Sequence, residues 1–139
     1  MGERKQRILL VDDEPSIIKT VSKRLEVEGY EVFVAADGQE AMDKALSLHP
    51  DLIILDLMLP KMSGFDVCSK LKQDRKSQDI PIVVVFSGKA SQEDADRCLQ
   101  LGASACVAKG HGAAPLLAEI RARLDRQTSP PSGPPLASG

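Results

Sequence analysis

Apolar residues in this chain fall into five short runs separated by longer stretches in which they recur every three or four positions. The runs are RILLV (Arg7 to Val11), EVFVA (Glu31 to Ala35), LIIL (Leu52 to Leu55), IVVVF (Ile82 to Phe86) and ACVA (Ala105 to Ala108). Runs of this length that are apolar throughout predict strands buried on both faces. Between them the spacing is that of amphipathic helices. Ile17, Ile18, Val21 and Leu25 form a stripe that ends at Gly29, and Ala41, Met42, Ala45 and Leu46 form another that ends before Pro50. Phe65, Cys68 and Leu71 supply the inner face of a third helix, and a fifth starts near Pro115 and uses Leu116, Leu117, Ile120 and Leu124. Asp37 with Glu40 has capping-box spacing, Ser91 with Asp94 is a weaker version, and Gly102 stands where a helix end needs a left-handed residue. A β-then-α unit repeated five times predicts an α/β fold, a doubly wound parallel sheet of five strands with right-handed crossovers and helices on both faces.

Composition adds bounds. The chain has 139 residues, of which 42% are hydrophobic and 27% charged, which fits one globular domain. Its 18 basic and 20 acidic residues give a net charge of -2, and no basic block or basic-aromatic stripe marks a nucleic-acid surface, so no direct nucleic-acid contact is expected. Cys68, Cys98 and Cys106 lie far apart without a C-x-x-C pair, and are expected to be free thiols in a reducing, cytoplasmic compartment. The N-terminal MGERKQR reads as neither signal peptide nor membrane span, and no membrane insertion is expected. From Gln127 the composition turns to Pro, Ser and Gly, so residues 1–126 are expected to form the domain and 127–139 a disordered tail or linker.

One stretch sits oddly in this pattern. LIILDLMLP, Leu52 to Pro60, carries Asp56 inside an apolar run, and an ionised carboxylate there needs a partner, a cation or access to solvent. In a doubly wound sheet, functional groups gather at the carboxyl ends of the strands, where strand order reverses. The first strand ends in Asp12 and Asp13, the third in Asp56, the fourth in Ser87 and the fifth in Lys109. Each alone is an ordinary turn or cap residue. Together they bring three carboxylates, a hydroxyl and an ammonium to one edge. Two like charges ~4 Å apart repel by ~4 kcal/mol at an effective dielectric of 20, so such a cluster calls for a cation. Mg²⁺ suits oxygen ligands and keeps waters that phosphate oxygens can replace, whereas Zn²⁺ would want partners that His49 and His111 lack. An acidic cluster with a lysine points to phosphoryl transfer, with Asp56 the best-placed nucleophile and Lys109 and Ser87 stabilising the transferred group.

The chain resembles a response-regulator receiver domain of two-component signalling over roughly Arg7 to Leu124. The resemblance rests on VDDE at Val11 to Glu14, LDLMLPKMSGFD at Leu55 to Asp66, FSG at Phe86 to Gly88 and AK at Ala108 to Lys109, in the family's order and spacing. It implies a (βα)5 flavodoxin-like three-layer sandwich with strand order 2-1-3-4-5. It also implies that Asp56 accepts a phosphoryl group from a phosphohistidine on a sensor histidine kinase or histidine phosphotransfer protein. Asp12, Asp13, Asp56 and the Met58 backbone carbonyl would hold Mg²⁺, Lys109 would pair with the phosphorylated Asp56, and Ser87 would turn inward to it. Such a domain promotes its own phosphorylation and dephosphorylation and is not otherwise an enzyme. Its output partner and cognate kinase are not disclosed by the sequence.

Two positions depart from the family pattern on the output side. Cys106 stands where the family has Tyr or Phe, and Gly110 follows Lys109 where the family has a cis proline. A non-proline cis bond costs about 2.5 to 4 kcal/mol, so a trans bond or an altered loop is expected. Three other readings are weighed by single residues. A haloacid-dehalogenase-type phosphatase needs a second Asp where this chain has Met58, and a nucleotide-binding module needs a phosphate loop where Asp12 to Ser16 would repel one. A receiver-like interaction module whose binding depends little on phosphorylation is favoured by Cys106 and Gly110 and disfavoured by the intact acidic cluster.

Overall fold

The computed structural model describes residues 5–59, 62–86, 92–108 and 114–128, with side chains as far as Leu124 in the last segment. Five strands alternate with five helices: β1 (Arg7–Val11), α1 (Pro15–Val27), β2 (Glu31–Ala35), α2 (Gly38–Leu48), β3 (Leu52–Asp56), α3 (Gly64–Gln73), β4 (Ile82–Phe86), α4 (Gln92–Gln100), β5 (Ala105–Ala108) and α5 (Ala114–Thr128). All pairings are parallel and the sheet order is β2-β1-β3-β4-β5, as expected.

The unbroken apolar strands have a direct cause. Alternate residues point to opposite faces, and both faces are covered. Leu9, Val11, Ile53, Leu55 and Val84 pack under α2, α3 and α4 with Ala41, Ala45, Val67, Cys68, Leu71 and Cys98. Ile8, Leu10, Leu52, Ile54, Val83, Val85 and Val107 pack under α1 and α5 with Leu25, Leu117, Ile120 and Leu124. A one-residue slip in any central strand would exchange these sets, so the register Leu10 to Ile54 and Leu55 to Val84 is strongly determined.

Helix ends follow their chemistry. Asp37 caps α2 by accepting from Glu40 N–H at 2.8 Å, while the Glu40 carboxylate reaches back to Ala36 N–H at 2.8 Å, one residue earlier than in a standard capping box. Ser63 caps α3 through Asp66 N–H at 3.2 Å. Pro15 opens α1, where its missing N–H costs nothing. Gly29 and Gly102 end their helices at φ +101° and +114°. Ser91, expected to cap α4, lies outside the described residues.

One expectation is corrected. Leu46, assigned to the inner stripe of α2, is 37% exposed, because it lies at the edge of that stripe. Helix α5 runs to Thr128. Gln127 and Thr128 can extend a helix, and the chain first meets a strong obstacle at Pro130, which disfavours helical backbone at the residue before it.

Candidate functional site

Position in the sheet explains the acidic cluster. Asp56 is the last residue of β3, paired with Val85 of β4, and Asp12 follows β1 with its N–H bonded to Ala35 O at 3.0 Å. Both strands therefore finish at one edge, beside the place where the order reverses from β1 to β3. Asp12 and Asp56 are only 3% and 4% exposed, whereas Asp13 faces solvent. One carboxylate oxygen from each of the three lies within 4.8 Å of the other two.

Backbone amides hold two of these groups in place. Asp12 Oδ1 accepts from Glu14 N–H at 3.0 Å, and Asp56 Oδ1 accepts from Met58 N–H at 3.2 Å. Each is a carboxylate bonding the backbone two residues on, a turn that an Asp stabilises by itself. The second bond also keeps the backbone of Met58 beside Asp56, while the Met58 side chain points outward at 64% exposure. At 4.8 Å each carboxylate pair repels by about 3.5 kcal/mol at an effective dielectric of 20. Oxygens around Mg²⁺ lie 2.0–2.1 Å from the ion in an octahedron, hence about 3 to 4 Å from each other, so this donor set fits a small hard cation.

The turn after β3 depends on a glycine that sequence reasoning did not single out. A Cβ on Gly64 would stand 2.7 Å from Asp56 O, 2.7 Å from Leu57 Cα and 2.9 Å from Leu57 O. Gly64 N–H donates to Leu57 O at 3.0 Å, so the first turn of α3 is laid directly on the backbone of the strand end. The only sign in the sequence is a glycine eight residues after an aspartate.

Of the other expected site residues, Ser87 and Lys109 lie outside the described residues, as do Gly110 and His111. Cys106 is described. It is half-buried, packs against the cluster under α3 and α4, and donates through Sγ to Ala95 O of α4 at 3.3 Å. All three cysteines are free. Burial pushes each thiol up, and Cys98, buried and near Cys106 and Cys68, is pushed up to about 12. On the same face Arg97 of α4 lies over the Phe65 ring at 4.3 Å, so Phe65, expected to face inward, also braces α3 against α4.

A model of the response regulator receiver domain family matches residues 8–121. The chain belongs to that family. This receiver domain is 42% identical over 120 residues to the DNA-binding dual master transcriptional regulator RpaA of Synechocystis, a match covering 86% of this chain and 49% of RpaA. It is 39% identical over 132 residues to the DNA-binding response regulator MtrA of Mycolicibacterium smegmatis, covering 95% of this chain and 56% of MtrA. The chain thus spans about half the length of the curated relatives it matches. Among solved structures it resembles a CheY-like receiver domain protein of Methanospirillum hungatei, with a TM-score of 0.81 and 34% identity over 89% of this chain and 97% of the other. It also resembles the receiver domain of the Pseudomonas aeruginosa sensor histidine kinase PA1611, which carries a magnesium ion in its active-site cleft (TM-score 0.79, 29% identity, 87% and 98% covered). The fold is the flavodoxin-like receiver fold, and the domain is a component of two-component signalling. Among the described residues no helix is long and apolar enough to cross a membrane.

Proposed function

We propose that this receiver domain accepts a phosphoryl group on Asp56 and holds Mg²⁺ through Asp12, Asp13, Asp56 and the Met58 backbone carbonyl. The observation that carries this reading is the approach of three carboxylate oxygens to within 4.8 Å at the ends of β1 and β3. Bound there, Mg²⁺ would neutralise charge on the phosphoryl oxygens and on the carboxylates. Asp56 is assigned as the nucleophile from the family motif LDLMLPKMSGFD, and as the last residue of β3 it is held on a strand between β1 and β4. Asp12 and Asp13 keep the negative charge that draws the ion. Lys109 and Ser87, carried over from the family motif, supply an ammonium and a hydroxyl to the phosphoryl oxygens.

The donor is a phosphohistidine on a sensor histidine kinase or histidine phosphotransfer protein. The domain promotes its own phosphorylation and dephosphorylation and turns over no separate substrate. Since RpaA and MtrA are DNA-binding regulators, a DNA-binding output that responds to this domain is the class we favour, with the domain itself making no nucleic-acid contact. A cytoplasmic setting agrees with its three free thiols.

The test is intact mass after incubation with Mg²⁺ and a small-molecule phosphodonor. One phosphoryl group should be added to the wild type and none to Asp56→Asn. Labelling of Asp56→Asn at comparable yield would overturn the choice of nucleophile.

A further inference from the structure

Three thiols stand on three different elements yet share one piece of core. Cys68 is on α3, Cys98 on α4 and Cys106 on β5, and all three belong to the apolar cluster beneath α3 and α4. Cys106 Sγ is 3.3 Å from the carbonyl oxygen of Ala95, and Cys98 follows Ala95 by three residues on α4. Residues three apart share one face of a helix, and here that face is buried at both positions, so Cys98 lies on the patch that Cys106 touches. Burial first, and Cys106 next, ahead of Cys68, raise the Cys98 thiol to about 12. The pair Cys98 and Cys106 is therefore a neutral dithiol in apolar surroundings.

We infer that Cys98 and Cys106 form a binding site for trivalent arsenic, taken up as arsenous acid. As(OH)₃ exchanges two hydroxyls for the two sulfurs: two As–S bonds form, two As–O bonds break, and each thiol hydrogen leaves with a hydroxyl as water, with no change of oxidation state. Every reactant and product is neutral. That suits this setting, because no thiolate or ion has to be buried. Zn²⁺ fits poorly. It asks for four donors and for deprotonated sulfurs, and among the described residues no three His, Cys, Asp or Glu side chains converge at these thiols. Arsenic is satisfied by two sulfurs and its remaining hydroxyl. Half-buried Cys106 is the point of entry, and fully buried Cys98 closes the ring. The bridge joins α4 to β5 covalently where a weak S–H···O bond joins them in the free protein. It draws on none of the carboxylates, so it stands or falls apart from the metal reading.

The experiment is a titration of the whole chain, kept reduced by a phosphine, with arsenous acid at pH 7, read by native mass spectrometry and amide NMR. One arsenic per chain is expected, with shift changes centred on Ala95 to Leu99 and Ala105 to Val107 in a spectrum that stays folded. Cys106→Ala and Cys98→Ala should each weaken capture by at least about a hundredfold, because a second sulfur held in place acts at high effective concentration. Cys68→Ala should leave capture unchanged, and neither Zn²⁺ nor Mg²⁺ should compete. Cys106 is only half-buried, so Cys106→Ala keeps the test decisive even where Cys98→Ala fails to fold.

Capture that survives Cys106→Ala, or that appears only as the folded spectrum disappears, would overturn the site. Loss in Cys68→Ala equal to that in Cys106→Ala would overturn the pair in favour of a three-thiol centre. A product two hydrogens lighter and free of arsenic would mean that the two sulfurs close into a disulfide, and would overturn the inference as well.

Discussion

Gly64→Ala is the most informative single substitution in this domain. Three backbone atoms, Asp56 O, Leu57 Cα and Leu57 O, would lie 2.7, 2.7 and 2.9 Å from the new methyl, where ordinary contact begins at 3.4 Å. The strand end or the helix start must therefore move by about 0.5 to 0.7 Å, and no side chain can rotate to relieve it. Adding a methyl to a packed site costs about 1–3 kcal/mol, and backbone neighbours put this case at the upper end. Exchanging Gly for Ala returns up to about 1 kcal/mol of helix propensity, less in a first turn. A net loss near 2 kcal/mol is expected, measured by urea unfolding, with a fall in thermal midpoint of roughly 8 °C. Because the displaced atoms belong to Asp56 and the residue after it, the rate of phosphorylation by a small-molecule donor should also fall about tenfold. Gly29→Ala is the control. Gly29 has φ +101° with nothing within 4 Å of an added Cβ, and it lies at the opposite end of the sheet, so it should lose about 1 kcal/mol through backbone strain alone and label normally. If Gly64→Ala is within about 0.5 kcal/mol of wild type and labels at the wild-type rate, the close approach does not govern the site.

Three further outcomes follow from the charges and thiols. Mg²⁺ should raise the thermal midpoint of the wild type by mass action, and chelation should reverse it; the same rise in Asp13→Ala would contradict the donor set. The bond from Ala36 N–H and the Lys44 ammonium beside it hold the Glu40 carboxyl below its usual 4.5, so its contribution is present above pH 4.5 and fades as pH falls through the depressed value. Glu40→Gln should therefore be less stable than wild type at pH 7 by urea unfolding, with the gap closing in acid; a gap independent of pH would refute this. Native labelling with a thiol reagent at pH 8 should modify Cys106 first and slowly, leaving Cys68 and Cys98 protected until the protein unfolds, because burial keeps those two thiols protonated. Rapid modification of all three in the folded protein, read by mass, would mean that the α3/α4 face opens readily.

The sheet was legible because its strands are buried on both faces, so Leu52 to Leu55 and Ile82 to Phe86 read as runs in any register. The acidic cluster was legible for a different reason: Asp12, Asp13 and Asp56 each end an apolar run, and the fold places such ends together. What escaped were contacts made across sequence distance without a pattern. Gly64 looks like any glycine in a loop until the Asp56 carbonyl is set under it. Lys72 looks like a solvated helix residue, yet its ammonium donates to Gln78 O and Ile80 O at 3.0 and 2.7 Å and ties down the connection into β4. Phe65 was assigned inward from spacing alone, and its stacking with Arg97, 32 residues on, has no local signature.

The order β2-β1-β3-β4-β5 also sets a timetable for synthesis. The sheet grows from the middle, since β1 acquires β2 on one side and β3 on the other before β4 is made. All three carboxylates have been added to the chain once residue 56 is made, whereas Lys109 is added 53 residues later, about 5 s at ~10 residues per second. A nascent chain folding in that interval brings its negative charges together ahead of the lysine. On the metal reading proposed above, free Mg²⁺ in the surrounding solution should then matter most to the half-made protein, made before Lys109 is available to share in balancing that charge.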